Sequence, residues 1–244
     1  MTEDEAAFEL EHELIAGAPR IEVKFFLPDS DVGKVRDILR TNCSPGTAYA
    51  DTLVTSVYFD DAGLGSYYDN LEGNGERVKL RLRWYDDRER RFFFEIKRRR
   101  YSKSIKDRLE IESTVPLTAV DYRTIRNRLR DRLPESCREL LLARPDPILI
   151  TRYRRWYYVA ADRTRVTLDS ELEWFDQCGR VKPNLRFAAH SPRSAILELK
   201  SERGDDGRLD ALLHPLRLRP TRSSKYAVGC QRLGLVGDSR GGLP

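Results

Sequence analysis

The sequence predicts an α+β protein: an antiparallel β-barrel with a charged interior and helices packed outside. Three observations carry that prediction. Strand-like segments recur at hairpin spacing, with turn signals between them. Helical stripes fall between and after these segments. In six strands one face alternates charged residues, and in a strand alternate side chains all project to the same side. A closed antiparallel sheet with helices outside accommodates such a pattern.

Residues 1–18 form an acidic tail, mobile or loosely helical, ending in Ala-Gly-Ala-Pro. Six acids and no Lys or Arg occupy its first thirteen positions. Arg20 to Leu27 alternates as a strand, with Glu22 and Lys24 sharing one face. Pro28-Asp29-Ser30 then starts a helix whose stripe is Val32, Val35, Ile38 and Leu39. Thr52 to Asp60 is β-rich and leads into a loop punctuated by Gly63, Gly65, Gly73 and Gly75.

The next strand is the most telling. In Arg77-Val78-Lys79-Leu80-Arg81-Leu82-Arg83 cation and aliphatic alternate without a break. Four cations on one face repel one another, so an anion is expected opposite them. A turn over Asp86 to Glu89 returns the chain as Arg91 to Lys97, placing Glu95 and Lys97 on one face. Ile105 to Val115 follows as a strand with Lys106, Arg108, Glu110 and Glu112 on one side. Pro116 to Arg144 reads as helix, divided at Pro134. Ile148 to Ala160 is a strand that puts Arg152 and Arg154 opposite to Arg155. Asp162 turns into Arg165–Asp169, and Glu171 to Phe187 reads as a strand or loop insert. Ala195 to Lys200 is the last strand, carrying Glu198 and Lys200 together. Helices over Asp205–Leu216 and Ser223–Leu233 close the chain. The expected domain is residues 19–236, with 237–244 frayed.

Composition narrows the function. Net charge is only +5, yet residues 77–108 hold fourteen Lys/Arg against five Asp/Glu, which points to an anionic partner. Four scattered cysteines and three histidines argue against a zinc site and for free thiols in a reducing cytoplasm. No apolar run approaches a membrane span and no signal peptide is visible. No P-loop, Gly-x-Gly-x-x-Gly fingerprint or catalytic triad occurs.

For any one strand, an outward and solvated charged face is the plain alternative. Six such faces with few Ser, Thr, Asn or Gln favour an interior instead. A phosphoanhydride chain suits that interior, because it needs many cations spread along it; Arg offers a bidentate fork and Lys a point charge. Arg98-Arg99-Arg100 reads as a solvated run, Tyr58 as core, and Tyr153 as wall.

With these pieces in order, the sequence resembles the VTC domain, the polyphosphate polymerase domain of the vacuolar transporter chaperone type, a CYTH-like triphosphate tunnel metalloenzyme. The matching segments are Glu22-x-Lys24, Val57-Tyr58-Phe59-Asp60, Lys79-x-Arg81-x-Arg83, Glu95-x-Lys97, Tyr153-x-Arg155, Arg165-Val-Thr-Leu-Asp169, Glu198-x-Lys200 and Ser224-Lys225-Tyr226. CYTH relatives open with Glu-x-Glu-x-Lys; here Arg20 takes the first position, which favours the VTC branch.

The resemblance implies an eight-stranded tunnel and phosphoryl transfer from ATP, with Mn²⁺ or Mg²⁺. It assigns phosphate contact to Arg81, Arg83, Lys97, Arg155, Arg165 and Lys225, with Lys24, Lys79, Lys106, Arg108, Lys200 and Ser224 around them. Glu198 is its metal ligand. Glu22, Glu95 and Asp169 are further acids, read as salt-bridge partners before ligands. Expected partners are ATP, triphosphate or polyphosphate, and a separate membrane protein; nucleic acid is not expected. The alternatives are a triphosphatase and a non-catalytic polyphosphate or inositol phosphate sensor. The acidic tail is a candidate shield for the basic mouth.

Overall fold

The alternating segments form the strands expected of them. In the computed structural model, residues 8–9, 21–45, 51–100, 103–160, 164–190, 194–201, 218–221 and 224–237 are described. Eight long strands carry the fold: β2 (Ile21–Pro28), β4 (Thr52–Asp60), β5 (Glu76–Tyr85), β6 (Arg91–Arg100), β7 (Lys103–Ser113), β8 (Asp146–Val159), β9 (Arg165–Asp176) and β11 (Ser194–Ser201). Three two-residue strands join them: β1 (Phe8–Glu9), β3 (Ser44–Pro45) and β10 (Ala189–His190). Every pairing is antiparallel, in the order β1-β7-β6-β5-β4-β8-β9-β11-β2, with β10 added to β9 and β3 to β8.

The expected cylinder is not closed by backbone bonds. Among the described residues no ladder joins β2 to β7 or β1. The sheet nevertheless curls back on itself. Lys97 of β6 and Glu22 of β2 are six strand intervals apart in that order, yet their side chains meet at 3.1 Å. A flat sheet would separate them by about 29 Å.

Helices cover the outer face. Val78, Leu80, Leu82, Phe92, Phe94, Ile96, Leu109 and Ile111 point outward and bury against α3 (Tyr122–Arg132) and α4 (Glu135–Ala143). Asp121 caps α3 by accepting from the Thr124 N–H, and the helices part at Leu133–Pro134 as the sequence predicts. Val23, Phe25, Leu27, Val166, Leu168, Leu197 and Leu199 form a second outer core with Val35 and Leu39 of α1 (Asp29–Asn42). A third apolar cluster lies on the concave side: Val54, Tyr58, Leu149, Tyr153, Leu172, Trp174 and Ile196 pack with Tyr67, Tyr226 and Cys230. One end of the concavity is thus filled by α2 (Gly65–Glu72) and α5 (Lys225–Arg232), and charge occupies the rest.

Two segments differ from expectation. The glycine-punctuated loop contains α2. Its first turn takes up carboxylates: Asp60 accepts from the Ser66 N–H and Asp61 from those of Gly63 and Gly65, satisfying donors that a helix start leaves free. Gly73, at φ 75°, ends the helix in the left-handed conformation that glycine tolerates. Arg165–Asp169 and the start of the expected insert are one strand, β9, running to Asp176; only the part beyond it is irregular. The strand absorbs a register shift opposite Arg152 and Arg154, with Glu171 at φ 53°. The expected helix over 205–216 and the termini 1–7 and 238–244 lie outside the described residues. No helix among the described residues is long and apolar enough to cross a membrane.

Candidate functional site

Register places the charged faces together. Glu198 stands opposite Lys24, and Lys200 opposite Glu22, across β11 and β2. Arg155 faces Asp169 across β8 and β9. Arg81 faces Glu95, and Lys79 faces Lys97, across β5 and β6. Glu95 also faces Arg108, and Lys97 faces Lys106, across β6 and β7. The concave surface therefore gathers Lys24, Lys79, Arg81, Arg83, Lys97, Lys106, Arg108, Arg155 and Lys200 from six strands; Lys225 of α5 joins them.

Three carboxylate centres organise these cations. Glu95, 1% exposed, is gripped by Arg81 at 2.5 Å and by Lys106, with Arg108 at 3.7 Å and Arg83 at 3.9 Å. Burial pushes its carboxyl up, but Arg81, Arg83 and Lys106 outweigh that and hold it well below the usual range. Asp169, fully buried, accepts both forks of Arg155 at 2.5 and 2.7 Å and meets Lys225 Nζ at 2.6 Å. Its carboxyl is likewise lowered, burial being outweighed by Arg155 and Lys225. Glu198 is held more loosely: Lys200 at 3.3 Å, Lys24 at 3.7 Å and Arg155 at 3.8 Å. The Glu22 carboxylate faces that of Glu198 closely while bridging Lys24 at 2.6 Å and Lys97 at 3.1 Å. Burial pulls Lys24 down, but Glu198 and Glu22 raise it on balance.

Tyrosines complete the wall. Tyr58 accepts from Arg81 at 3.0 Å, and Tyr153 accepts from Arg83 at 3.1 Å. The Ser56 hydroxyl accepts from Arg83 Nε at 3.0 Å. Tyr58 is thus no plain core residue: its ring stacks on Tyr226 at 5.3 Å while its hydroxyl holds a guanidinium in place.

The C-terminal helix is docked by contacts that the sequence reading did not single out. Tyr226 donates to the Asp60 carboxylate at 2.6 Å, and Trp174 Nε1 donates to the Lys225 carbonyl at 2.8 Å. Gly229 permits this approach, since a Cβ there would lie 2.3 Å from the Trp174 ring. Ser224 caps the helix by accepting from the Ala227 N–H at 3.4 Å. Together these anchors present Ser224 and Lys225 to the charged half of the concavity. Asp60 was visible only as the last residue of Val57-Tyr58-Phe59-Asp60; its pairing with Tyr226 spans 166 residues, which no local pattern reveals.

Other expected residues are placed as follows. Arg165 stands exposed at the first position of β9, beside Lys200, at the rim rather than within the cluster. Arg152 and Arg154 point outward, to Glu173 and to Asp51 and Glu171. The run Arg98-Arg99-Arg100 is not wholly solvated: Arg98 pairs with Asp107 on the outer face, whereas Arg99 and Arg100 are exposed. His190 is exposed, 3.4 Å from Glu173.

The donor set suits a hard divalent cation. Glu198 and Glu22 bring carboxylate oxygens together, the hard donors that Mg²⁺ and Mn²⁺ prefer. No group of three or more His, Cys, Asp or Glu side chains placed to hold a metal occurs among the described residues. Glu95 and Asp169 are consumed by their ion pairs.

Residues 19–234 match the family described as the VTC domain. No curated protein matches the chain. Among solved structures, the PH1819 protein from Pyrococcus horikoshii OT3 is 13% identical, with 87% of this chain and 99% of that chain covered, at a TM-score of 0.48. A putative adenylyl cyclase from Hippeastrum, HpAC1, described as having a dominant triphosphatase activity, is 18% identical over 86% of this chain and 96% of its own, at a TM-score of 0.46. The inorganic triphosphatase NE1496 is 11% identical over 87% and 95%, at 0.31. At these identities and scores the three mark a likeness and no more.

Proposed function

The chain belongs to the VTC domain family, and on that premise we propose that it is a metal-dependent phosphotransferase acting on phosphoanhydride chains, working as a polyphosphate polymerase that moves the γ-phosphate of ATP onto a growing chain. One observation carries this reading. Ten cations (Lys24, Lys79, Arg81, Arg83, Lys97, Lys106, Arg108, Arg155, Lys200 and Lys225) share one concave face with four carboxylates (Glu22, Glu95, Asp169 and Glu198). The surplus is positive, and a phosphate chain is an anion long enough to meet cations from several strands at once.

Phosphoryl transfer asks the protein for positioning and charge neutralisation more than for covalent help. Arg81 and Arg83, with their forks held by Glu95, Tyr58, Ser56 and Tyr153, are pre-set to bind phosphate oxygens in fixed directions. Arg155 approaches from β8, the next strand but one, with Lys225 from α5 beside it, and Lys97 and Lys106 from β6 and β7 on the other side. The curled sheet then acts as a tunnel around the chain, and Lys200 and Arg165 meet it at the rim. Glu198, with Glu22 beside it, would hold Mn²⁺ or Mg²⁺, which supplies charge neutralisation on the transferring phosphoryl group. The reading places the protein in the cytoplasm, with 19–236 as its catalytic unit and a separate membrane protein as a partner.

The deciding experiment is a product assay with ATP and Mn²⁺. Long polyphosphate is the expected product. Orthophosphate released from triphosphate alone would replace the polymerase with a hydrolase acting at the same face. No product from folded protein would leave a binding module and overturn catalysis.

A further inference from the structure

Lys79 differs from its neighbours on the concave face. Lys24, Arg81, Arg83, Lys97, Lys106, Arg108, Arg155, Lys200 and Lys225 each lie within 4 Å of a carboxylate. Lys79 Nζ instead donates to two uncharged oxygens, Asn70 Oδ1 at 2.9 Å and Ser224 Oγ at 2.8 Å. The charged groups that bear on it most are cationic: Lys24 from β2, Lys97 from β6, and Arg77 and Arg81 on its own strand; the nearby Glu22 carboxylate is taken up by Lys24 and Lys97. Asn70 from α2 and Ser224 at the head of α5 bring no compensating charge.

Donor counting sharpens the point. A neutral amine has two N–H donors, and both have acceptors here. An ammonium has a third, and among the described residues no carboxylate meets it. The half-buried ammonium thus has no protein counter-charge within ion-pair distance among the described residues. An entering phosphate oxygen supplies both the counter-charge and the acceptor.

We propose that Lys79 is the binding-coupled cation of the site: it takes a proton from solvent as the end of an anionic phosphate chain reaches it, beside Ser224 and the head of α5. One proton moves from water to Nζ and one N–H···O–P hydrogen bond forms; no covalent bond to phosphorus is made or broken. The inference rests on the phosphate-chain reading and adds to it where the chain end sits and why affinity varies with pH. The electrostatics agree. Burial first, then Lys24, Lys97, Arg77 and Arg81, lower Lys79 to about 7. Lys106 is lowered also, by burial and by Arg81 and Arg83, but it has a carboxylate partner in Glu95, which favours its charged form.

Two measurements on the full chain test the coupling. The first is trace acetylation across pH 6 to 10, read by mass spectrometry on the peptide carrying Lys79, with exposed Lys34 as internal reference. Lys79 is expected to half-titrate near 7 in the free protein and to become protected when tripolyphosphate is added. Half-titration in the ordinary lysine range, near 10, overturns the proposal. The second compares tripolyphosphate affinity of wild type and Lys79→Arg over the same range. Arginine stays charged, and titration of the ligand and of Lys106 is common to both proteins. The Kd of wild type relative to Lys79→Arg should rise by about tenfold per pH unit above neutrality; a constant ratio overturns the coupling with the substrate reading intact. Failure of both proteins to bind at every pH overturns the substrate reading and the coupling with it.

Discussion

Glu95 and Glu198 sit on the same concave face, both almost fully buried, and do different work. Glu95 is gripped from four sides, twice at contact distance, so its lone pairs are committed. Glu198 lies among three cations at 3.3 to 3.8 Å with a second carboxylate beside it. A short, multiply paired carboxylate is a strut: it fixes Arg81 and Lys106 before any ligand arrives. A loosely paired one keeps coordination capacity for a metal and a substrate. The difference teaches that distance, not burial, separates a structural acid from a candidate ligand here.

The largest expected effect breaks the strut. Glu95→Gln leaves buried Arg83 and half-buried Arg81 and Lys106 without their counter-ion, and breaking such a cluster from one side costs roughly 3–5 kcal/mol. Urea unfolding should show it; an unchanged midpoint would mean that the strut carries nothing. Glu198→Gln should reverse the pattern. Turnover with Mn²⁺ should fall by about a hundred-fold or more, with a smaller change in the urea midpoint than Glu95→Gln. Equal stability losses and retained turnover would erase the contrast.

Acid titration sharpens the same comparison. Glu95 and Asp169 are lowered in the folded protein, so they contribute stability above the ordinary carboxylate range. That contribution is lost progressively as pH falls toward their folded values. Glu95→Gln should unfold with a visibly weaker acid dependence than wild type. Asp60→Asn comes next: weakening the Tyr226 anchor is expected to cost about 1–3 kcal/mol and to lower turnover by misplacing Lys225, with Tyr226→Phe the milder variant. Arg154→Ala, which removes an exposed pair with Asp51 and Glu171, should move stability by under about 1 kcal/mol.

Much of the concave face was legible because a strand has a period of two. Once Arg77-Val78-Lys79-Leu80-Arg81-Leu82-Arg83 is a strand, Lys79, Arg81 and Arg83 must share a side, and the same holds for Glu22 with Lys24 and Glu198 with Lys200. Glu22, Glu95 and Asp169, read as bridges before ligands, each make ion pairs in the structure. The outward turn of Arg152 and Arg154 followed from the same parity. What parity cannot supply is position along the strand, and Arg165, on the right face, ends exposed at the rim. Nor can it supply partners from distant segments. Helix α2 forms in a stretch rich in glycine because Asp60 and Asp61 cap it, and Asp60 also anchors Tyr226 across the chain. Lys79 looked like one cation among four until Asn70 and Ser224 were found to be its only acceptors among the described residues.

The central claim is that the concave cations receive a phosphoanhydride chain, and tripolyphosphate binding followed by calorimetry tests it most directly. Wild type should bind, with affinity falling as salt rises, and Arg81→Ala/Arg83→Ala should lose most of that affinity while remaining folded. Undiminished binding by the folded double variant would contradict the account.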